Sequence, residues 1–412
     1  MNRKFFLSSL AALLLTAPAF AATAFKGATI HPVSGPPIEN GVLVVDGGKI
    51  VAVGTEVPDG AEVVDVSGKH LYPGFIETMA HLGLTEISAV RATNDFAEIG
   101  EVNSDLRAEV AWNADSRLLP VAVSGGILTT HIAMEGGVFT GTSAVMSLNG
   151  WNWEDMTIRA GVGMHMRYPA VGGDSEEDDE ETREKALKTI NETLDRAATY
   201  QKARDGGGDV DYDARLEGLI PVLNGDMPLY IHVSERNQIV SALDWAADRD
   251  LKDIVLFAGP DVQYVAERVA KENVPVILNS VHVTPKRRWE SYDMPFVAAA
   301  KLHEAGVKFA IAGEGEGNAR NLPFEAATAA AYGLPKEVAL RSITLSPAEI
   351  VGVADRVGSL EVGKDATMML TNGDPLEIMT QIERVWIGGR EVDLGQDPQR
   401  QLYEKYNNRP RP

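Results

Sequence analysis

The chain has 412 residues and no cysteine, and its 59 acidic against 38 basic side chains give a formal charge of −21. The missing cysteine excludes disulfides, a lipid-attachment thiol and thiolate chemistry, and the acidic balance argues against nucleic acid as a partner. This length is too great for one small domain and suits a barrel of about 250 residues with a smaller companion.

At the N-terminus, Arg3 and Lys4 precede an apolar run from Phe5 to Leu15, and Ala19-Phe20-Ala21 supplies small residues for a peptidase. Residues 1–21 read as a secretory signal peptide. The run breaks at Thr16 and Pro18, short of the about 20 residues a bilayer span needs. The mature chain is therefore expected in the periplasm or the medium, with no membrane contact after cleavage. Residues 22–72 form short alternating apolar runs around turns, among them a hairpin from Gly41 to Gly54 that turns at Gly47-Gly48.

Residues 73–355 alternate apolar strands with helices, the pattern of βαβ units and a parallel sheet covered by helices. The predicted strands are 75–77, 127–132, 229–233, 254–258, 276–279 and 308–312, with helices at 238–249, 262–272 and 296–305. Residues 174–208 look inserted. An acidic run, Asp174 to Glu181, reads as a solvated loop because it lacks the glycine and spacing of a calcium loop. A polar helix from Thr182 to Arg204 follows and ends before Gly206-Gly207-Gly208. Residues 356–395 return to β structure, with a hairpin around Gly388-Gly389, and 396–412 form a tail.

Three segments carry a resemblance. They are Leu71-Tyr72-Pro73-Gly74-Phe75-Ile76-Glu77, then Asn318 to Pro323 with Thr344-Leu345-Ser346-Pro347-Ala348-Glu349, then Gly358 to Ala366 with Gly373-Asp374-Pro375 behind it. Their sequence and order resemble the amidohydrolase superfamily, in its imidazolonepropionase-like branch. That resemblance implies an α/β fold, a (β/α)8 TIM-type barrel flanked by a β-sandwich made from both chain ends (22–72 and 356–395). It also implies an active site at the carboxyl ends of the strands, and one divalent metal ion, zinc by preference. His81 matches the second histidine of the first-strand His-x-His pair, but Met79 stands at the first, and a thioether is a poor zinc ligand. His232 matches the fifth-strand ligand, whereas Phe257-Ala258-Gly259-Pro260 occupies the place of the sixth-strand histidine. After the eighth strand, where the family has an aspartate that ligates and shuttles the proton, this chain offers Glu314 and then Glu316. With no matching fourth-strand lysine, the expected centre is mononuclear and degenerate, held by His81, His232 and Glu314.

A metal at such a site lowers the pKa of bound water and polarises a carbonyl while an acidic residue moves the proton. The expected activity is an exported hydrolase of a non-peptide or peptide-like carbon–nitrogen bond in a small molecule. Lys286-Arg287-Arg288 is the tightest basic cluster, and Arg287 and Arg288 could clamp a substrate carboxylate; charge balancing in a loop is the competing account. His131, His165 and His282 lie on or near strands and read more readily as structural, and Trp151 and Trp153 as packing. The alternative is a catalytically inactive barrel serving as a binding or assembly subunit, self-associated or paired with an intact relative.

Overall fold

The structure is a computed structural model that describes residues 22–171, 180–313 and 315–410. Residues 1–21, on which the expected signal peptide falls, residues 174–179 of the acidic run and Glu314 lie outside the described residues. Alternating apolar positions near the N-terminus build β1 (Thr23–Ile30), β2 (Ile38–Asp46), β3 (Lys49–Gly54), β4 (Glu62–Asp65) and β5 (His70–Pro73). The barrel strands are β6 (Phe75–Thr78), β7 (Ile127–Ile132), β8 (Phe139–Ser147), β9 (Thr157–Arg167), β10 (Leu229–Val233), β11 (Ile254–Ala258), β12 (Val276–Leu278) and β13 (Phe309–Ile311). The chain closes with β14 (Met368–Thr371), β15 (Ile382–Ile387) and β16 (Arg390–Val392).

Both chain ends share one sheet, ordered β16-β15-β14-β5-β1-β2-β3 with β4 also paired to β1. The join is antiparallel, with Met369 opposite Tyr72. Phe25, Ile30, Leu43, Leu71, Met368 and Trp386 form its apolar core, and Phe25 meets Trp386 edge-on at 4.8 Å between ring centroids.

The second sheet runs β6 to β13 in chain order. Backbone bonds from Ile311 N to Ser342 O (3.0 Å) and from Ile76 N to Ile343 O (2.9 Å) bring the segment around 342–343 between its two edges, so the barrel is nearly closed. One feature departs from the expected (β/α)8 pattern: β8 is antiparallel to both β7 and β9. The physical reason is connection length. The six residues between β7 and β8 are too few for the crossover that parallel neighbours require.

Inside the barrel, Ile76, Val145 and Val162 pack on Ala348, Val351, Val353 and Val357. Tyr230, Val255, Ile277 and Ala310 form a second apolar cluster. Such clusters make the barrel interior a packed core, which leaves chemistry to the carboxyl ends. The polar insert is one helix, Glu180–Asp205, that buries only Ile190, Thr193, Leu194 and Ala197. Among the described residues no helix is long and apolar enough to cross a membrane.

Candidate active site

Side chains alternate along a strand, so His165 and Arg167 of β9 share a face, as do Tyr230 and His232 of β10. Parallel register sets Tyr230 beside His165 and His232 beside Arg167. The outcome is a stack of rings inside the barrel. His165 Nδ1 lies 2.9 Å from His232 Nε2, one donating and the other accepting. The His165 ring stacks on Tyr230 with centroids 4.6 Å apart and planes 9° from parallel. His131, at the end of β7, stands 5.6 Å from His165 and 5.4 Å from Tyr230, centroid to centroid. Gly163 makes the stack possible, since a Cβ there would lie 2.1 Å from a Tyr230 ring carbon.

Burial keeps these imidazoles neutral. Burial first and then the His232 ring push His131 down to about 3. Burial first, followed by the charges of Arg167 and His81, pushes His232 down to about 3. His165 is held well below the usual histidine range, again mainly by burial. Among the described residues, both ring nitrogens of His131, Nε2 of His165 and Nε2 of His81 are buried without a hydrogen-bond partner, and Thr130 and Thr78 nearby in the strands carry unpaired hydroxyls. A buried polar atom left unpaired costs about 1–3 kcal/mol. These unpaired atoms are concentrated at the carboxyl ends of β6, β7 and β9.

Over this stack opens a cavity of about 230 Å3, lined by Glu135, Thr140, Arg167, His232, Phe257 and Asn279 among others. His81 meets one of the lining residues, Glu135. Its ring stacks on Phe96 at 4.3 Å, and its Nε2 stands 3.4 Å from Glu135 Oε1. Arg167 is exposed and makes no ion pair among the described residues, in a chain with a large acidic excess. It is the cation best placed to meet an anionic group in the cavity.

Glu77, at the end of β6, is fully buried. Its Oε1 accepts from the backbone N–H of Thr78 (3.0 Å) and Gly313 (2.9 Å), while Oε2 has no partner among the described residues. Gly313 is required here, because a Cβ would lie 2.6 Å from Oε2. Burial outweighs the two N–H donors and pushes the carboxyl up to about 8. A folded pKa above the unfolded value means stability fully present below about 4.5 and lost as pH rises through about 8. One pKa unit corresponds to about 1.4 kcal/mol. Glu77→Gln keeps the acceptor and removes the titration, so denaturant midpoints should fall from pH 5 to pH 8.5 more steeply in the parent than in the variant. Equal slopes would contradict the assignment. Met79 follows with a left-handed backbone, φ 69°, and donates its N–H to His131 O at 2.8 Å, an uncommon conformation for a residue with a Cβ.

The basic cluster is placed differently from a substrate clamp. Arg287 is bound by Asp261 (2.8 Å), Glu290 (2.5 Å) and Glu235 (3.4 Å), which hold its guanidinium firmly charged and committed. Arg288 is exposed and Glu316 half-buried, and neither lines the cavity. His282 pairs with Thr328 Oγ1 at 2.8 Å and stands 3.4 Å from Glu325. Glu325 is fully buried and accepts from Ser280 Oγ and the N–H groups of Val281 and His282, which fixes the loop after β12. Trp153 packs on the main core, whereas Trp151 is exposed.

Among the described residues, no three His, Asp or Glu side chains as placed stand close enough to hold one ion. The family-type ligand set therefore does not assemble from them. Met79 offers a thioether, Phe257 a hydrocarbon ring at the end of β11, and His232 turns Nε2 onto His165. Glu314 lies outside the described residues.

A mostly parallel, nearly closed barrel with polar strand ends and a companion sheet from both termini is the architecture of an amidohydrolase-type barrel. An amidohydrolase structure from Thermotoga maritima superposes over 90% of this chain and 99% of that one, with a TM-score of 0.81 and 26% sequence identity. Residues 227–392 match the amidohydrolase family. A 5-methylthioadenosine/S-adenosylhomocysteine deaminase from Thermoanaerobacter pseudethanolicus is 24% identical over 369 residues, covering 82% of each chain. The amidohydrolase tasK of Hapsidospora irregularis is 22% identical over 394 residues. That alignment takes in 85% of this chain but 39% of the relative, so the chain spans well under half of that protein's length.

Proposed function

We propose that the chain hydrolyses a carbon–nitrogen bond in a small molecule bearing a carboxylate, at the mouth of the barrel. One observation carries this reading: Glu135, Arg167 and His232 converge on a single cavity at the carboxyl ends of the strands, in a fold whose relatives include hydrolases and deaminases. Arg167 binds the substrate carboxylate through its planar fork of donors. That contact orients the scissile group against Glu135, which takes the proton of the attacking water and returns it to the departing nitrogen. His81, 3.4 Å from Glu135, positions that carboxylate. The His165–His232 pair and Phe257 form the wall that shields the reacting atoms from bulk water.

The test is release of amine or ammonia from a panel of N-acyl amino acids, dipeptides and aminated heterocyclic acids, each beside its neutral amide. Acids should be cleaved in preference to amides. Arg167→Ala should raise KM for the acids about tenfold or more, with kcat changed less, as expected when a contact binds the substrate outside the reacting centre. Equal use of acids and amides by the parent would remove Arg167 from the account.

A further inference from the structure

We infer that a second ligand site lies at the opposite end of the barrel from the mouth, against the companion sheet, and that it takes a small organic monocarboxylate with a compact apolar body. A cavity of about 290 Å3 opens there. Among its lining residues Phe75 starts β6 and Gly125 lies just before β7, so this is the amino end of the strands. The barrel supplies one wall, and Pro375, Gln381 and Ile382, from the connection between β14 and β15 and the start of β15, supply another. Small-molecule sites favour concave junctions between domains, at about this size and above.

Three observations carry the inference. The first is a pair of uncommitted cations. Arg320 and Arg400 both line the cavity, and neither guanidinium makes an ion pair or a hydrogen bond among the described residues. The carboxylates that share the lining are engaged elsewhere. Glu377 meets Lys336 at 3.2 Å, and Asp397 caps the helix Pro398–Asn407 by accepting from the N–H groups of Gln399 and Arg400. Two planar guanidiniums with free donors match the paired oxygens of a carboxylate. The second observation is an orphan hydroxyl. Ser124 Oγ is buried in the same lining and has no hydrogen-bond partner among the described residues, a costly state that a ligand oxygen relieves. Gly125, next in the chain, lets Arg320 come close: a Cβ there would lie 2.7 Å from Arg320 Cβ, so the arginine stem rests on the end of the helix Leu118–Ser124. The third observation is the floor. Phe75, Val121 and Phe324 present hydrocarbon to the same space. A bare inorganic anion leaves that surface uncovered, whereas a ring or a short branched chain removes it from water.

The experiment titrates benzoate into the purified protein by calorimetry, in the parent and in Arg167→Ala, which removes the carboxylate contact proposed at the mouth. The expected result is one benzoate per chain still bound in Arg167→Ala. In that background Arg320→Gln and Arg400→Gln should each weaken it at least tenfold, and benzamide and inorganic phosphate should each bind the Arg167→Ala protein at least tenfold more weakly than benzoate. Both arginines are exposed, so the variants keep the fold, and their ligand-free melting temperatures should match that of Arg167→Ala. Benzoate binding that disappears in Arg167→Ala belongs to the mouth and overturns the inference. Undiminished binding in both arginine variants does the same, and phosphate binding as tightly as benzoate overturns the ligand class. The site stands or falls apart from catalysis: a protein that hydrolyses nothing but binds benzoate through Arg320 and Arg400 keeps it.

Discussion

Gly163→Ala should destabilise the protein by about 3 kcal/mol or more, at the upper end of what overpacking a core costs. The added methyl would lie 2.1 Å and 2.3 Å from two carbons of the Tyr230 ring and 3.3 Å from Pro228 O. Tyr230 has no room to retreat. It is fully buried, stacked on His165 and tied through its hydroxyl to Ile350. Either the ring moves and carries the histidine stack with it, or β9 and β10 separate where they pair. Denaturant unfolding should show the loss, and Tyr230→Leu in the same chain should recover part of it, since the ring carbons that clash are gone. A parent-like midpoint for Gly163→Ala alone would show that the packing at β9 and β10 is looser than described.

Glu135→Gln should lower kcat by a factor on the order of 10²–10⁴, the usual contribution of a positioned general base, with KM and stability nearly unchanged. Stability is spared because the side chain is 46% exposed and stands 3.4 Å from the His81 ring, an arrangement worth little to folding. An intact kcat in a folded variant would take proton transfer away from Glu135.

Most of the barrel was legible because buried strands are short, continuous apolar runs bounded by turns. Segments 127–132, 229–233 and 254–258 coincide with β7, β10 and β11 residue for residue. The sequence hid β8, whose glycine, threonine and serine obscure the strand pattern, and with it the antiparallel turn at 133–138. Closure of the barrel by the backbone around 342–343 has no side-chain signature at all.

The site was legible only in part. His81 and His232 stand out by their place in a family-like frame; His232 lines the cavity and His81 meets its lining residue Glu135. Arg287 looked free because its partners Asp261, Glu290 and Glu235 come from separate segments, and ion pairing of that kind is set by tertiary packing. Arg167 and Glu135 are single charges near strand ends, and periodicity gives no reason to choose them over dozens of others. His131 and His165 were visible as histidines on strands, yet their common stack with His232 depends on neighbouring register, which a linear pattern does not show.

Product release by the purified protein tests the central claim most directly. Quantifying amine and ammonia freed from small N-acylated or aminated carboxylic acids should show steady multiple turnover by the parent, abolished in Glu135→Gln and weakened through KM in Arg167→Ala. Saturable binding of the same acids to a folded parent that releases no product over hours would contradict hydrolysis and leave the barrel as a binding subunit.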